Sequence, residues 1–225
     1  NGCTMNASAT INNLSGPSIA SVIINDVLCY NGNNGSIQLA PIGGTGPFQY
    51  SSDNGTNYQS GNLFSNLIAG TYTVIIKDAN GCLADSVITI NQPAQLVLST
   101  SASIAVCGNA NGSITLTANG GSGNNQFSIN NGITYQSSGL FANLNPGTYQ
   151  SVVTDVNGCV DTATIVVNAA PSPTLALSAT TDISCYGLSD GTINVTAAGG
   201  TSPLQYAIAP GSAVLQSSNS LQIFL

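Results

Sequence analysis

Few side chains in this sequence can do chemistry, and cysteine leads them. There are six cysteines, eight aspartates, one lysine (Lys77), and no histidine or glutamate. Without histidine, neither a Ser-His nor a Cys-His pair can generate a nucleophile. Paired carboxylates could still act as acid and base, but the aspartates recur at turns and in no catalytic frame. The chain is therefore not expected to be an enzyme, and no cofactor is implied. Thiol chemistry remains: metal ligation, or oxidation to disulfides.

The spacing favours oxidation. Cys29, Cys107 and Cys185 stand 78 positions apart, while Cys82 and Cys159 close the segments DANGC (78–82) and DVNGC (155–159). Cys3 ends a matching Asn-Gly-Cys at the start of the sequence. Zinc would need four ligands at C-x-x-C or His spacing, and these are missing. Two cysteines per repeat read instead as a disulfide framework in an oxidising compartment. The expected pairs are Cys29–Cys82 and Cys107–Cys159, with Cys3 and Cys185 paired outside the sequence. Such a bridge closes about 50 residues and stabilises by on the order of 4 kcal/mol. An inter-repeat alternative, Cys29–Cys159, follows from strand parity: in a seven-strand sandwich the first loop and the last turn lie at opposite ends. A kink at Asn25-Asp26, at Ser101-Ala102-Ser103 and at Thr180-Thr181-Asp182 would restore the pair within each unit.

The residues before each cysteine have a backbone role. Asp starts the turn and Gly supplies its positive-φ position. Asp78 with Asn80, and Asp155 with Asn157, also offer oxygen ligands on a loop, which keeps calcium as a weak alternative. No dense acidic cluster accompanies them.

The elements that carry these turns repeat. After each of Cys29, Cys107 and Cys185 comes a Gly-containing loop, then GSIQL (35–39), GSITL (112–116) or GTINV (191–195). Paired glycines follow at 43–44, 120–121 and 199–200, then PFQY (47–50), NQF (125–127) and PLQY (203–206). Two copies continue through YQSGNLFSNLIAGTY (58–72) and YQSSGLFANLNPGTY (135–149). Such self-similarity marks a tandem array. The chain divides into 1–16, the last strand of a preceding repeat; 17–93 and 94–171, two whole repeats; and 172–225, an incomplete third.

Each repeat reads as all-β. Ile37/Leu39, Ile114/Leu116 and Ile193/Val195 alternate with polar residues, as do Tyr72/Val74/Ile76; Ser151 takes an inward position between Tyr149 and Val153. Turn signals every 8–12 residues, including DNG at 53–55 and NNG at 130–132, indicate a sandwich or barrel. Tyr72 and Tyr149 each open the penultimate strand after Leu-x-x-Gly-Thr. That frame resembles the tyrosine corner of immunoglobulin-like domains, where the phenol bonds back to the backbone. The fold class expected is all-β: immunoglobulin-like β-sandwich repeats of about 78 residues in an end-to-end array.

Composition limits the partners. Charged residues make up 4% and the net charge is −7. Nucleic acid is excluded, because that affinity comes from Lys and Arg on phosphates. Anionic membrane surfaces are excluded likewise. No apolar run approaches the roughly 20 residues that span a bilayer, so direct membrane insertion is not expected.

In combination, a Cys followed by a Gly-containing loop and G-S/T-I, then G-G-x-x-P-x-x-Y, N-L-x-x-G-T-Y and D-x-N-G-C, resemble the SprB repeat, the building block of large surface adhesins of gliding bacteria. The resemblance covers nearly the whole chain, though the second copy lacks the Pro and Tyr of P-x-x-Y. It implies export by type IX secretion, display at the cell surface, and a role in attachment or gliding. It also implies O-linked glycans at Asp-Ser/Thr-apolar triplets, of which Asp85-Ser86-Val87 and Asp161-Thr162-Ala163 are candidates. Their register relative to the preceding cysteine slips by one residue.

The function expected is that of an extracellular structural or adhesive stalk segment. Its partners would be neighbouring repeats of the chain, with surface polysaccharide or other cell-surface proteins beyond them. The Pro-containing junctions at Gln92-Pro93 and Pro171-Ser172-Pro173 are short and would make the array semi-rigid. The alternatives are a glycan- or protein-binding module acting through loop tips, with Tyr58 and Tyr135 as stacking candidates, and passive spacer repeats of a secreted enzyme.

Overall fold

A computed structural model describes residues 5, 7, 15–107, 109–188, 190–200, 203–206 and 220–222. Cys3 and most of the segment read as the last strand of a preceding copy lie outside the described residues. All regular structure among the described residues is β. In the first repeat, β1 (Pro17–Asn25), β2 (Gly35–Gly43) and β4 (Leu63–Leu67) form one sheet in the order β1-β2-β4. Strands β3 (Gln49–Ser51), β5 (Gly70–Lys77) and β6 (Leu83–Ile90) form the other, in the order β3-β5-β6. Both sheets are antiparallel.

The alternation seen in the sequence becomes the core. Ile37, Leu39, Val74 and Ile76 are fully buried, and they join Val27, Tyr50, Ile88 and Ile90 in one cluster. Ile19, Val22, Phe64 and Leu67 pack against it, so all six strands feed one interior, as a two-sheet sandwich requires.

The second repeat repeats this plan. Its strands are β7 (Val97–Ser103), β8 (Gly112–Asn119), β9 (Gln126–Ser128), β10 (Leu140–Leu144), β11 (Gly147–Thr154) and β12 (Val160–Val167), in sheets β10-β8-β7 and β12-β11-β9. Ile114, Leu116, Phe127, Val153 and Val167 are buried. The third repeat contributes β13 (Thr174–Thr181), β14 (Thr192–Ala198) and β15 (Ser220–Gln222), in one sheet. Strand β13, like β1, carries a bulge, but two residues later in the repeat: pairing slips between Leu177 and Ala179 in β13 and between Ile19 and Ser21 in β1.

Two motifs acquire a backbone reason. Asn54-Gly55 and Asn131-Gly132 place two successive residues at positive φ (57° and 80°; 59° and 79°), the left-handed pair that a tight hairpin with an Asn-Gly centre adopts. The Asn of N-L-x-x-G-T-Y is also left-handed, at 59° for Asn66 and 57° for Asn143. Asparagine tolerates this conformation better than other non-glycine residues.

At one core position the second repeat replaces an apolar residue with a polar one. Ser151 is 1% exposed and its Oγ has no hydrogen-bond partner, whereas the first repeat places the buried Val74 there. An unsatisfied buried hydroxyl costs about 1–3 kcal/mol. Ser151→Val is therefore expected to raise stability by about 1–2 kcal/mol, read as a shift in the urea midpoint. A destabilised variant would show that the pocket cannot take the second methyl.

A polar box closes each first hairpin. Ser51 Oγ, fully buried, donates to Asp53 Oδ1 (2.7 Å) and accepts from Gly55 N (2.9 Å). Asp53 also accepts from Asn57 N (2.9 Å) and Asn57 Nδ2 (2.6 Å). The Asn57 backbone N–H, with the Ser51 hydroxyl and the Asn57 amide, lowers the Asp53 pKa from 3.8 to about 2. A depressed carboxyl adds stability that is complete above its ordinary value and is lost as pH falls through the folded one. The second repeat builds the same box without charge: Ser128 Oγ donates to Asn130 Oδ1 (2.8 Å), and Asn130 Nδ2 donates to Thr134 Oγ1 (2.8 Å). The double variant D53N/N57T, which copies that box, should match the parent near neutrality. It should lose less stability than the parent as pH falls from 3.8 toward about 2. Parallel acid unfolding curves for the two proteins would remove Asp53 from the account.

The described chain forms two compact units. One holds the chain up to Val97 with Asn119–Asn124 and Thr154–Val160; the other holds Leu98–Ala118, Asn125–Val153 and the chain from Asp161 onward. The units are not the repeats, since two loops of the second repeat belong to the first unit.

Candidate functional site

The site is built on the turn between β11 and β12. Asp155 N donates to Cys159 O (3.0 Å), and Gly158 N donates to Asp155 O (3.1 Å). Gly158 has φ 80°, the left-handed conformation that makes glycine the natural residue there. The Asp155 carboxylate, 6% exposed, organises the rest. Its Oδ1 accepts from Asn157 N (3.0 Å) and Cys159 N (2.9 Å), and its Oδ2 accepts from Ser122 N (2.8 Å). Asn157 Nδ2 donates to Ser122 Oγ (2.8 Å) and to Leu28 O (3.2 Å). This leaves Cys159 aimed at the loop after β1, where its sulfur is bonded to Cys29 with Cα atoms 5.6 Å apart.

The turn between β5 and β6 is assembled in the same way. Asp78 accepts from Asn80 N (3.0 Å), Cys82 N (2.8 Å) and Thr45 N (3.1 Å), and Asn80 Nδ2 donates to Thr45 Oγ1 (3.0 Å). Burial pushes the Asp78 carboxyl up, but the N–H donors of Cys82, Thr45, Asn80 and Gly81 outweigh it and hold the pKa below its ordinary value. Cys82 itself is free, as are Cys107 and Cys185.

The expected pairs Cys29–Cys82 and Cys107–Cys159 are thus corrected to the inter-repeat alternative, Cys29–Cys159. The reason lies at Asp26-Val27. There the chain leaves β1 and crosses to the far end of β6: Val27 N donates to Asn91 O (2.9 Å) and Asn91 N donates to Asp26 Oδ1 (2.8 Å). Cys82 precedes β6 and Cys29 follows the tie to its end. The eight residues of β6 hold the two apart by about 26 Å at roughly 3.3 Å each, well beyond the reach of a disulfide. Cys107 stands likewise past Ala105, whose N donates to Asn168 O (2.8 Å) after β12, while Cys159 precedes that strand. The chain does bend where a kink was expected, but the bend carries the cysteine away from its own repeat's turn.

The socket on the Cys29 side was not foreseen. Leu28 N donates to Asn34 Oδ1 (3.0 Å), Val106 N to Asn111 Oδ1 (2.8 Å) and Ser184 N to Asp190 Oδ1 (2.9 Å). The signal was visible as the Asn or Asp before each Gly-Ser/Thr-Ile. That glycine is required as well: a Cβ on Gly35 would lie 2.8 Å from Leu67 O.

The other candidates fall as follows. Tyr72 Oη donates to Ile68 O and Tyr149 Oη to Asn145 O, both at 2.9 Å, each phenol reaching four residues back to the corner it follows. The oxygens of Asp78 and Asp155 are taken by N–H donors as described, and among the described residues no group of three or more Cys, Asp or Glu side chains gathers as a metal site. Ser86 is half-buried on the face of β6 that carries Ile88 and Ile90, whereas Thr162 is exposed on β12, so the register slip puts the two triplets on opposite faces. Tyr58 has the Lys77 ammonium 5.4 Å from its ring centre, and Tyr135 is 43% exposed.

Two three-stranded sheets round one core, closed by a tyrosine that bonds back across its corner, make each whole repeat an immunoglobulin-like sandwich. The chain is a tandem array of such modules. The SprB repeat family model matches three segments of it, residues 21–57, 102–134 and 177–213. No curated protein matches the sequence. Among solved structures, the N-terminal eight Ig domains of Down Syndrome Cell Adhesion Molecule align with 93% of this chain and 33% of theirs, at 15% identity and TM-score 0.38. Sidekick-1 immunoglobulin domains 1–5 align with 94% of this chain and 53% of theirs, at 12% identity and TM-score 0.39. Fibronectin(III)-like modules of Clostridium thermocellum CbhA align with 66% of this chain and 95% of theirs, at 16% identity and TM-score 0.29. The chain thus spans about a third of the length of the first. It is an adhesin-like repeat module, and its disulfide fits an extracellular location. No helix among the described residues is long and apolar enough to cross a membrane.

Proposed function

We propose that this chain is a stalk segment of a bacterial cell-surface adhesin or filament, without catalytic activity, that carries tension between a surface-bound tip and the cell. The observation behind this reading is the bond from Cys29 in the first repeat's loop to Cys159 in the second repeat's turn. A spacer needs only linked domains, whereas a tether under load gains from a covalent bypass around its weakest link. The SprB repeat supports attachment or gliding motility as the setting, with neighbouring repeats as immediate partners and surface polysaccharide or another surface protein as the target. Thr162 is the better placed of the two glycan candidates, because its hydroxyl is exposed.

Single-molecule pulling tests the mechanical part. With the staple closed, the 130-residue separation between the sulfurs cannot extend; opening it should release roughly 450 Å of additional contour at about 3.5 Å per residue. The same length in oxidised and reduced protein would refute the tether. Antibody labelling of intact, unpermeabilised cells tests the setting; label appearing only after lysis would end the surface reading.

A further inference from the structure

Beside Cys107, within the second compact unit, lies a cavity of about 350 Å³ lined by Val106, Cys107, Ala170, Pro171, Pro173 and Leu204. The frame round it shares two ties with the one that surrounds the closed staple, although Cys107 itself is left-handed (φ 56°) and Val106 O already accepts from Asn109 N (3.1 Å). Val106 N is clamped by Asn111 as Leu28 N is by Asn34. Gly200 N donates to Pro171 O (3.0 Å) as Gly121 N donates to Ala94 O (2.9 Å), and both paired-glycine segments are left-handed throughout. At the first frame the space is occupied: the Asp155–Cys159 turn hangs there from Ser122 N and Gly123 O and reaches Leu28 O and Cys29. At the second frame the equivalent cysteine is exposed and free.

We propose that this cavity is the seat for a second hairpin turn of sequence Asp-x-Asn-Gly-Cys, with Cys107 as the sulfur that locks it in. The occupant is a β-hairpin of this same repeat type. Its Asn amide would donate to Val106 O, as Asn157 does to Leu28 O, and its Cys would stand against Cys107. Closing the bond takes two protons and two electrons from the two thiols. A small-molecule disulfide such as oxidised glutathione accepts them and is cleaved to two thiols. The inference rests on the staple geometry and not on the adhesive reading, so it stands or falls whether or not the chain binds a surface.

The test incubates the full chain in a glutathione redox buffer with a synthetic hairpin of sequence 147–167, followed by non-reducing peptide mapping. Capture is expected at Cys107 in preference to Cys82 and Cys185. Capture should fall about tenfold when the peptide carries Asp155→Ala and Asn157→Ala, which remove the bonds that shape the turn and hold it to the carbonyl. Even capture over the free cysteines, equal capture of both peptides, or glutathione alone on Cys107 would overturn the proposal. A second arm supplies the hairpin within the chain, by fusing sequence 135–168 after Tyr206. There Cys107 should be found bonded to the added cysteine, and a free Cys107 in a folded fusion would overturn it equally.

Discussion

The double variant C29S/C159S is expected to unfold with about 5 kcal/mol less stability than the parent, the largest effect of any substitution in this chain. A bond between residues 130 positions apart removes a large share of the unfolded chain's freedom, and the chain-entropy estimate for a loop of that length is about 5 kcal/mol. Non-reducing denaturation of both proteins, followed by urea midpoints and slopes, measures it. Cys82→Ser is the control: that thiol is unpaired, so its change should stay within about 0.5 kcal/mol. If the double variant loses less than about 1 kcal/mol, the bond is not restraining the unfolded chain and the tether reading loses its energetic basis.

Asp155→Ala is expected to rank second. It leaves the N–H groups of Ser122, Asn157 and Cys159 without their acceptor, at a carboxylate that is 6% exposed. Each orphaned buried donor costs about 1–3 kcal/mol, and water will reach some of them, so a loss of about 3 kcal/mol is expected. Asp155→Asn should fall between the parent and Ala, because its carbonyl can still receive the Oδ1 pair while its amide faces the Ser122 N–H. Titration with a thiol reagent gives the second readout. A loosened turn no longer aims Cys159 at Cys29, so Asp155→Ala should yield more free thiol than the parent. Unchanged thiol content in a destabilised variant would separate the fold of the turn from its role in pairing.

The legible and illegible parts of this molecule differ by range. Ile37, Leu39, Val74 and Ile76 are buried because strand alternation is a local rule, and their neighbours in sequence announce it. Tyr72 and Tyr149 were legible for the same reason, since each reaches only four residues back. The D-x-N-G-C turn was read correctly as backbone chemistry, but the third partner of Asp155, the Ser122 amide, stands 33 residues away and left no local trace. Cysteine pairing failed at longer range still. It was decided by one crossover at Asp26-Val27, which moves Cys29 from one end of β6 to the other without changing the residues near either sulfur. Strand parity alone had pointed to the correct pair, and the expected kink argued it away. The glycan triplets make the same point in miniature: one residue of slip sets Ser86 toward the core and Thr162 toward solvent.

A bond that spans so much sequence also changes what a protease can achieve. Any single cleavage between residues 30 and 158 leaves two fragments that still share the Cys29–Cys159 bridge. A nick in one of those loops therefore does not sever the molecule. Damage and detachment become separate events over that stretch, and detachment requires either a cut outside it or a reductant.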